Sequence, residues 1–219
     1  MARILCLETA TTNCSVTLSV DGSVIAFKED NTPGYSHSEK LHVFIEALLT
    51  ESKVSKSQLD AIAVSKGPGS YTGLRIRVSA AKGLCYALDI PLISIPTLQS
   101  LAAQVSHNVD VVIPLLDARR MEVYAAVFNS EVKEIRETKA EILEVTSFNN
   151  YLERGEVVFV GSGVEKFQEI CTHENAIFLP SLLPRSQEMA ELSEVKYNSQ
   201  QFEDVAYFEP YYLKDFIAG

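Results

Sequence analysis

The second half of this 219-residue chain starts the way the first half does. Residues 3–8 form an apolar, β-branched run that ends at an acidic residue, Glu8, and residues 111–116 form another that ends at Asp117. The turn at Asp21-Gly22 follows Glu8 by 13 positions, and the turn near Asn129-Ser130 follows Asp117 by 12. Each turn closes a meander: strands at 3–8, 14–20 and 23–28 in the first half, and at 111–116, 122–128 and 132–139 in the second. Helical and strand segments then alternate in both halves. A duplicated βββαβα unit is predicted, giving an α/β protein of two lobes, residues 1–106 and 107–219. In such an arrangement the acidic ends of the first strands face a cleft, which is the default ligand site.

The connecting segments carry their own signals. Ser36 with Glu39 three positions later reads as a capping box, and Leu41, Phe44, Ile45, Leu48 and Leu49 then fall on one helical face, predicting a helix over 36–52. A buried strand is expected at 60–65, and Thr72 is placed to cap a helix over 73–88. A strand at 92–95 and a short helix capped by Thr97 complete the first lobe. In the second, a helix near 147–154, a strand at 157–160 ending in Gly161-Ser162-Gly163, and helical segments near 164–171 and 187–197 are expected.

Charge and cysteine usage exclude several classes. With 19 Lys or Arg against 29 Asp or Glu, the formal net charge is -10, and no dense basic run offers a face for nucleic acid. Apolar residues at 47% are enough for a real core, so disorder is not expected. No stretch approaches the roughly 18 apolar residues of a membrane span. The apolar run before Glu8 is too short for a signal peptide, so a cytoplasmic protein is expected. Cys6, Cys14, Cys85 and Cys171 lack any CxxC spacing and read as small buried hydrophobes.

Four features carry chemistry. The segment Lys66-Gly67-Pro68-Gly69-Ser70-Tyr71-Thr72-Gly73 joins a strand to a helix, where free amides can hold an anion. It lacks the Lys-Ser or Lys-Thr of a P-loop and has one residue too many for the dinucleotide fingerprint, so close packing of the helix is the competing reading. In the following helix Gly83, Ser79, Ala80 and Ala81 leave a low profile flanked by Ile76, Leu84 and Leu88, fit either for a docking helix or for the chain's own sheet. Arg75 and Arg77 oppose the dipole at that helix's start, which suits a carboxylate, a phosphate, another subunit or plain solvent. Glu8, Thr11 and Asp117 are candidates for a nucleotide cleft, where a carboxylate orders a metal, acts as a base or simply caps the turn. His37 and His42 are five positions apart, which on a helix separates the side chains by about 140°, so they do not share a metal.

Taken in order, ILCLETATTNCSVTL, HSEKL, KGPGSYTGLRIRVSAAKGLCYAL, IPTLQSLA, LLDARRMEVYAAVF and the terminal EPYYLKDF resemble the TsaB (YeaZ) family across nearly the whole chain. GPGSYTGLRIR and DARRMEVY are the specific segments. The resemblance implies the two-lobed actin-like ATPase fold shared with hexokinase and Hsp70. It implies a part in making N6-threonylcarbamoyladenosine at position 37 of tRNAs reading ANN codons, as a non-catalytic scaffold and activator of a TsaD-like transferase.

It further implies that catalysis, metal and ATP belong to the TsaD-like and TsaE-like partners, that the chain alone pairs with itself, and that tRNA is met only through the complex. No cofactor of its own is expected. The implied pairing face lies on the two first-lobe helices, with Leu74, Arg75, Arg77, Val78, Ala81 and Gly83 from one and His37 and Leu41 from the other. Glu8 stands where that family usually has Asp, a departure that weakens a working nucleotide site. The competing classes are an ATP-dependent phosphotransferase using the cleft and a metallopeptidase.

Overall fold

The computed structural model describes residues 1–32, 37–105 and 109–214. Two compact units emerge: Met1–Ser100 together with the chain from Pro184 onward, and Leu101–Leu183.

In the first unit β1 (Arg3–Glu8), β2 (Cys14–Val20) and β3 (Ser23–Asp30) form an antiparallel meander, followed by α1 (His37–Glu51), β4 (Ala61–Gly67), α2 (Tyr71–Leu88), β5 (Leu92–Pro96) and α3 (Thr97–Ala102). β4 lies parallel to β1 and β5 parallel to β4, so the sheet order is β3-β2-β1-β4-β5. The second unit repeats this with β6 (Val111–Asp117), β7 (Glu122–Asn129), β8 (Glu134–Ile142), α4 (Asn149–Leu152), β9 (Val157–Val160), α5 (Val164–Gln168) and β10 (Ala176–Leu179). Its sheet order, β10-β9-β6-β7-β8, is the same topology, with the same antiparallel and parallel pairings. The duplication inferred from spacing is thus present in the strand connections themselves.

The period-2 pattern of β1 explains how the first sheet is covered on both faces. Leu5 and Leu7 point into a core with Leu41, Ile45 and Leu48 of α1 and Val78, Ala81 and Cys85 of α2. Ile4 and Cys6 point the other way, into a core with Met189 of α6 (Met189–Asn198). The second unit has its own core, where Phe148, Phe159 and Phe167 meet edge to face or tilted at centroid separations of 4.8 to 5.6 Å.

Several local expectations are corrected. Ser70, not Thr72, caps α2: its Oγ accepts from Gly73 N–H at 3.4 Å. Thr97 is the first residue of α3, and its hydroxyl accepts from Gly67 N–H at 3.1 Å instead of capping its own helix. β10, unforeseen, is a four-residue edge strand. The Ser36 cap lies outside the described residues.

The chain from Pro184 onward groups with the first unit rather than with the second half. The reason is packing. α6 covers the open face of β1, Lys196 Nζ donates to Ser94 O at 2.7 Å, and Glu203 N–H donates to Leu92 O at 2.8 Å.

Candidate interaction surface on the first unit

The glycines after β4 are required by close approach to the loop that follows β1. A Cβ on Gly69 would stand 2.6 Å from Ala10 O, and one on Gly73 would stand 2.0 Å from Thr9 O. Ser70 N–H donates to Ala10 O at 2.6 Å, and Thr9 Oγ1–H donates to Gly73 O at 2.7 Å. The amides of Ser70 and Gly73 are therefore already engaged, by Ala10 O and by the Ser70 cap. The segment is a packing joint, and two of the amides an anion cradle would use are taken by the chain itself. The second unit has a glycine joint of its own, made against strand β6 rather than against the loop after it. Gly161 shares φ +117 with Gly67, and Gly163 N–H donates to Leu115 O at 2.9 Å.

The candidate nucleotide residues are each held locally. Glu8 is fully buried, and its Oε1 accepts from Ala10 N–H at 2.5 Å and lies 3.6 Å from Nη1 of Arg77. Arg77 is itself fully buried, donates from Nε to Ser65 O at 2.5 Å and approaches Thr9 Oγ1 at 3.5 Å. Burial pulls its guanidinium down to about 10, against the opposing pull of Glu8. Thr11 Oγ1 accepts from Asn13 N–H at 3.3 Å. In the second unit the Asp117 carboxylate takes Lys166 Nζ at 2.5 Å and Arg119 N–H at 2.7 Å. Among the described residues, no three His, Cys, Asp or Glu side chains group to hold a metal.

Helix α2 presents two unlike faces. Leu74, Arg77, Val78, Ala81 and Cys85 recur at helical spacing and are buried in the unit's own core, as is Leu41 of α1. Five residues expected on the pairing face, namely Leu41, Leu74, Arg77, Val78 and Ala81, are thus turned inward. The side chain of His37 lies outside the described residues. Arg75 and Gly83 are exposed on the opposite face, beside a groove of about 590 Å³. His42 of α1 forms one wall. Ile76, Ser79, Ala80 and Leu84 of α2 complete it. A Cβ on Gly83 would meet nothing within 4 Å, so the groove is open there. Val43 at 62% exposure and Tyr86 at 87% extend the apolar surface of the same two helices. The spacing of His37 and His42 speaks only to metal binding and leaves His42 unassigned as a groove residue. Its position one residue after the buried Leu41 is the signal that places it outward.

Arg75 is the groove's fixed cation. Its Cζ sits 4.0 Å from the centroid of the Tyr71 ring, and its Nε donates to the Tyr212 hydroxyl at 3.3 Å. That hydrogen bond is the main influence raising the guanidinium above its ordinary value.

Relatives place the chain in a family. The family model described as "TsaD: tRNA N6-adenosine threonylcarbamoyltransferase" matches residues 34–218. The tRNA threonylcarbamoyladenosine biosynthesis protein TsaB of Escherichia coli is 30% identical over 99% of this chain and 96% of its own length. The Haemophilus influenzae protein of the same name is 30% identical over 97% and 93%. The structure of YeaZ from Pseudomonas aeruginosa superposes with a TM-score of 0.85 at 26% identity, covering 97% of this chain and all of that one. With a relative of this identity aligned end to end and a family model matched from residue 34 to 218, the chain belongs to the TsaB family of tRNA threonylcarbamoyladenosine biosynthesis proteins.

Proposed function

We propose that this chain acts in forming threonylcarbamoyladenosine in tRNA as a non-catalytic member that docks and activates a TsaD-like transferase through the groove between α1 and α2. The observation that carries the proposal is the groove itself: its α2 wall is small or apolar at Ile76, Ser79, Ala80, Gly83 and Leu84, with Ser79 and Gly83 exposed and open space at Gly83. Small residues let a second helix approach closely. The local chemistry supports a non-catalytic role. Glu8 is committed to Arg77 and Ala10, and the start of α2 is committed to the loop after β1.

On this reading ATP and metal are supplied by the TsaD-like subunit and a TsaE-like ATPase, tRNA is met only through the assembly, and the chain alone pairs with itself. The setting is the cytoplasm. No helix among the described residues is long and apolar enough to cross a membrane. The test is reconstitution of the tRNA modification from purified partners with and without this chain. Modified nucleoside formed only when the chain is added supports the proposal. Phosphoryl transfer from ATP by the chain alone, or stoichiometric zinc or iron bound to it, overturns the non-catalytic role.

A further inference from the structure

We propose that Arg119 and Arg120, exposed at the tip of the β6–β7 hairpin, contact the phosphate backbone of the tRNA that the assembled complex holds. The inference goes beyond docking and rests on the reading that this chain meets tRNA only within the assembly.

The backbone at this tip does not suit arginine. Arg119 and Arg120 are consecutive non-glycine residues at positive φ, +74° and +49°. A Cβ is disfavoured there, and hairpin turns with two such positions favour Asn-Gly. Turn chemistry therefore does not account for the pair. Packing does not either: both residues are exposed, and among the described residues no carboxylate pairs with either guanidinium.

The tip is nevertheless braced from both sides. Asp117 Oδ1 accepts from Arg119 N–H at 2.7 Å and from Lys166 Nζ at 2.5 Å, and the same Nζ donates to Glu122 O at 3.1 Å. One ammonium thus ties the two ends of the turn. Asp117 N–H donates to Ser162 Oγ at 3.2 Å, and Leu143 N–H donates to Met121 O at 2.8 Å. With Lys166 the tip carries three cations against two acids, Asp117 and Glu122, in a chain whose net charge is -10.

The duplication supplies a comparison. The matching connection of the first unit, Thr9-Ala10-Thr11-Thr12-Asn13, has no charged residue, and its Thr9 and Ala10 are buried against Gly73 and Gly69. In the second unit the glycines close on β6 instead, and the β6–β7 tip stays exposed at both arginines. The same place in the repeat is a packing surface in one unit and a cationic tip in the other.

The occupant follows from the chemistry of the pair. A guanidinium fits phosphate oxygens with two parallel hydrogen bonds. A protein partner would want apolar surface at the centre of the contact, and Met121, the apolar side chain beside the arginines, packs on the unit's own core. The polyanion that this family's named process handles is tRNA. Two contacts are too few to hold it against the chain's net charge, so they act once the TsaD-like subunit has brought it in.

The experiment measures binding of labelled tRNA to the complex of this chain with its TsaD-like and TsaE-like subunits across a range of salt. Arg119→Gln with Arg120→Gln is expected to weaken binding about 10-fold at 0.1 M salt and to lower the slope of log affinity against log salt by about 1 for each arginine. Arg154→Gln, an exposed cation elsewhere in the second unit, should leave both unchanged. Arg119→Asn with Arg120→Gly should lose tRNA equally while its melting temperature holds or rises, because the turn then has the residues its backbone favours. If that variant melts early, the arginines serve the fold and the inference fails. Wild-type affinity and slope in both double variants also overturn it and leave the docking proposal standing. If the variants weaken subunit assembly without tRNA, the tip meets an acidic protein surface and the inference is wrong. A complex lacking this chain that binds and modifies tRNA as the full one does would remove both proposals.

Discussion

Arg77 and Glu8 are both fully buried, and a buried ion pair contributes to stability only when its geometry and surrounding hydrogen bonds offset the cost of desolvation. Here the offset is incomplete. The closest approach, 3.6 Å, is too long for a direct hydrogen bond. Glu8 Oε2, Arg77 Nη2 and Ser65 Oγ are buried with no hydrogen-bond partner among the described residues. The pair therefore fixes the loop after β1 against α2 more than it stabilises the fold. Arg77→Ala, which strands the carboxylate, is expected to cost about 3 to 5 kcal/mol in urea unfolding. The double replacement Glu8→Leu with Arg77→Met should recover most of that loss, and a double variant as unstable as Arg77→Ala would contradict this account. The thiols give a second check. Burial pushes Cys6, Cys14 and Cys85 up to about 12, and Cys171 is buried as well. A thiol reagent at pH 8 should modify none of the four in the native chain and all of them in denaturant. Because the folded state holds these protons more tightly than the unfolded chain, their contribution is intact below pH 9 and is lost as pH rises from there towards 12.

At the scale of the element, α2 shows where periodicity stops being informative. β1 to β3 and β6 to β8 were legible because alternation, turn residues and the acidic strand ends repeat twice. α1 was legible from one apolar face. In α2, Leu74, Ile76, Val78, Ala80, Ala81, Leu84 and Cys85 cover more than half the circumference, so apolar pattern alone does not fix which side meets the sheet. The side is set by contacts distant in sequence: Glu8 draws Arg77 inward, and the backbone of Thr9 and Ala10 presses on Gly73 and Gly69. The same non-local packing hid the return of α6 to the first sheet, and β10 is too short to stand out. The two faces predict opposite outcomes for two glycines of one helix. Gly73→Ala forces a Cβ against the Thr9 carbonyl and should cost about 3 kcal/mol or more. Gly83→Leu starts from an exposed position whose Cβ would meet nothing within 4 Å and replaces a poor helix former, so its melting temperature should hold or rise. Its loss is in association, about 1 to 3 kcal/mol, or roughly 5- to 150-fold in affinity. Early melting of Gly83→Leu with wild-type pairing would assign this face to the fold and leave α1 as the docking element.

For the whole molecule the deciding quantity is charge. Affinity for tRNA comes largely from Lys and Arg that displace counterions from phosphates, and it falls steeply with salt in proportion to their number. This chain has 19 such residues under a net charge of -10. Several are already engaged: Arg77 with Glu8, Lys166 with Asp117, Lys28 with Glu51, Lys56 with Glu46 and Arg136 with Glu141. A surface in which cations are paired and acids are in excess repels a polyanion at distances up to the Debye length, about 10 Å at 0.1 M salt. Filter binding of labelled tRNA to the chain alone should therefore show only weak association at physiological salt, with a shallow dependence on salt concentration. Adding the TsaD-like subunit should produce tight binding whose salt slope reflects the partner's cations. The slope separates the sources. If the isolated chain binds tRNA tightly and loses it steeply with salt, it carries a phosphate-facing surface of its own, and the division of labour between scaffold and tRNA-binding subunit is wrong.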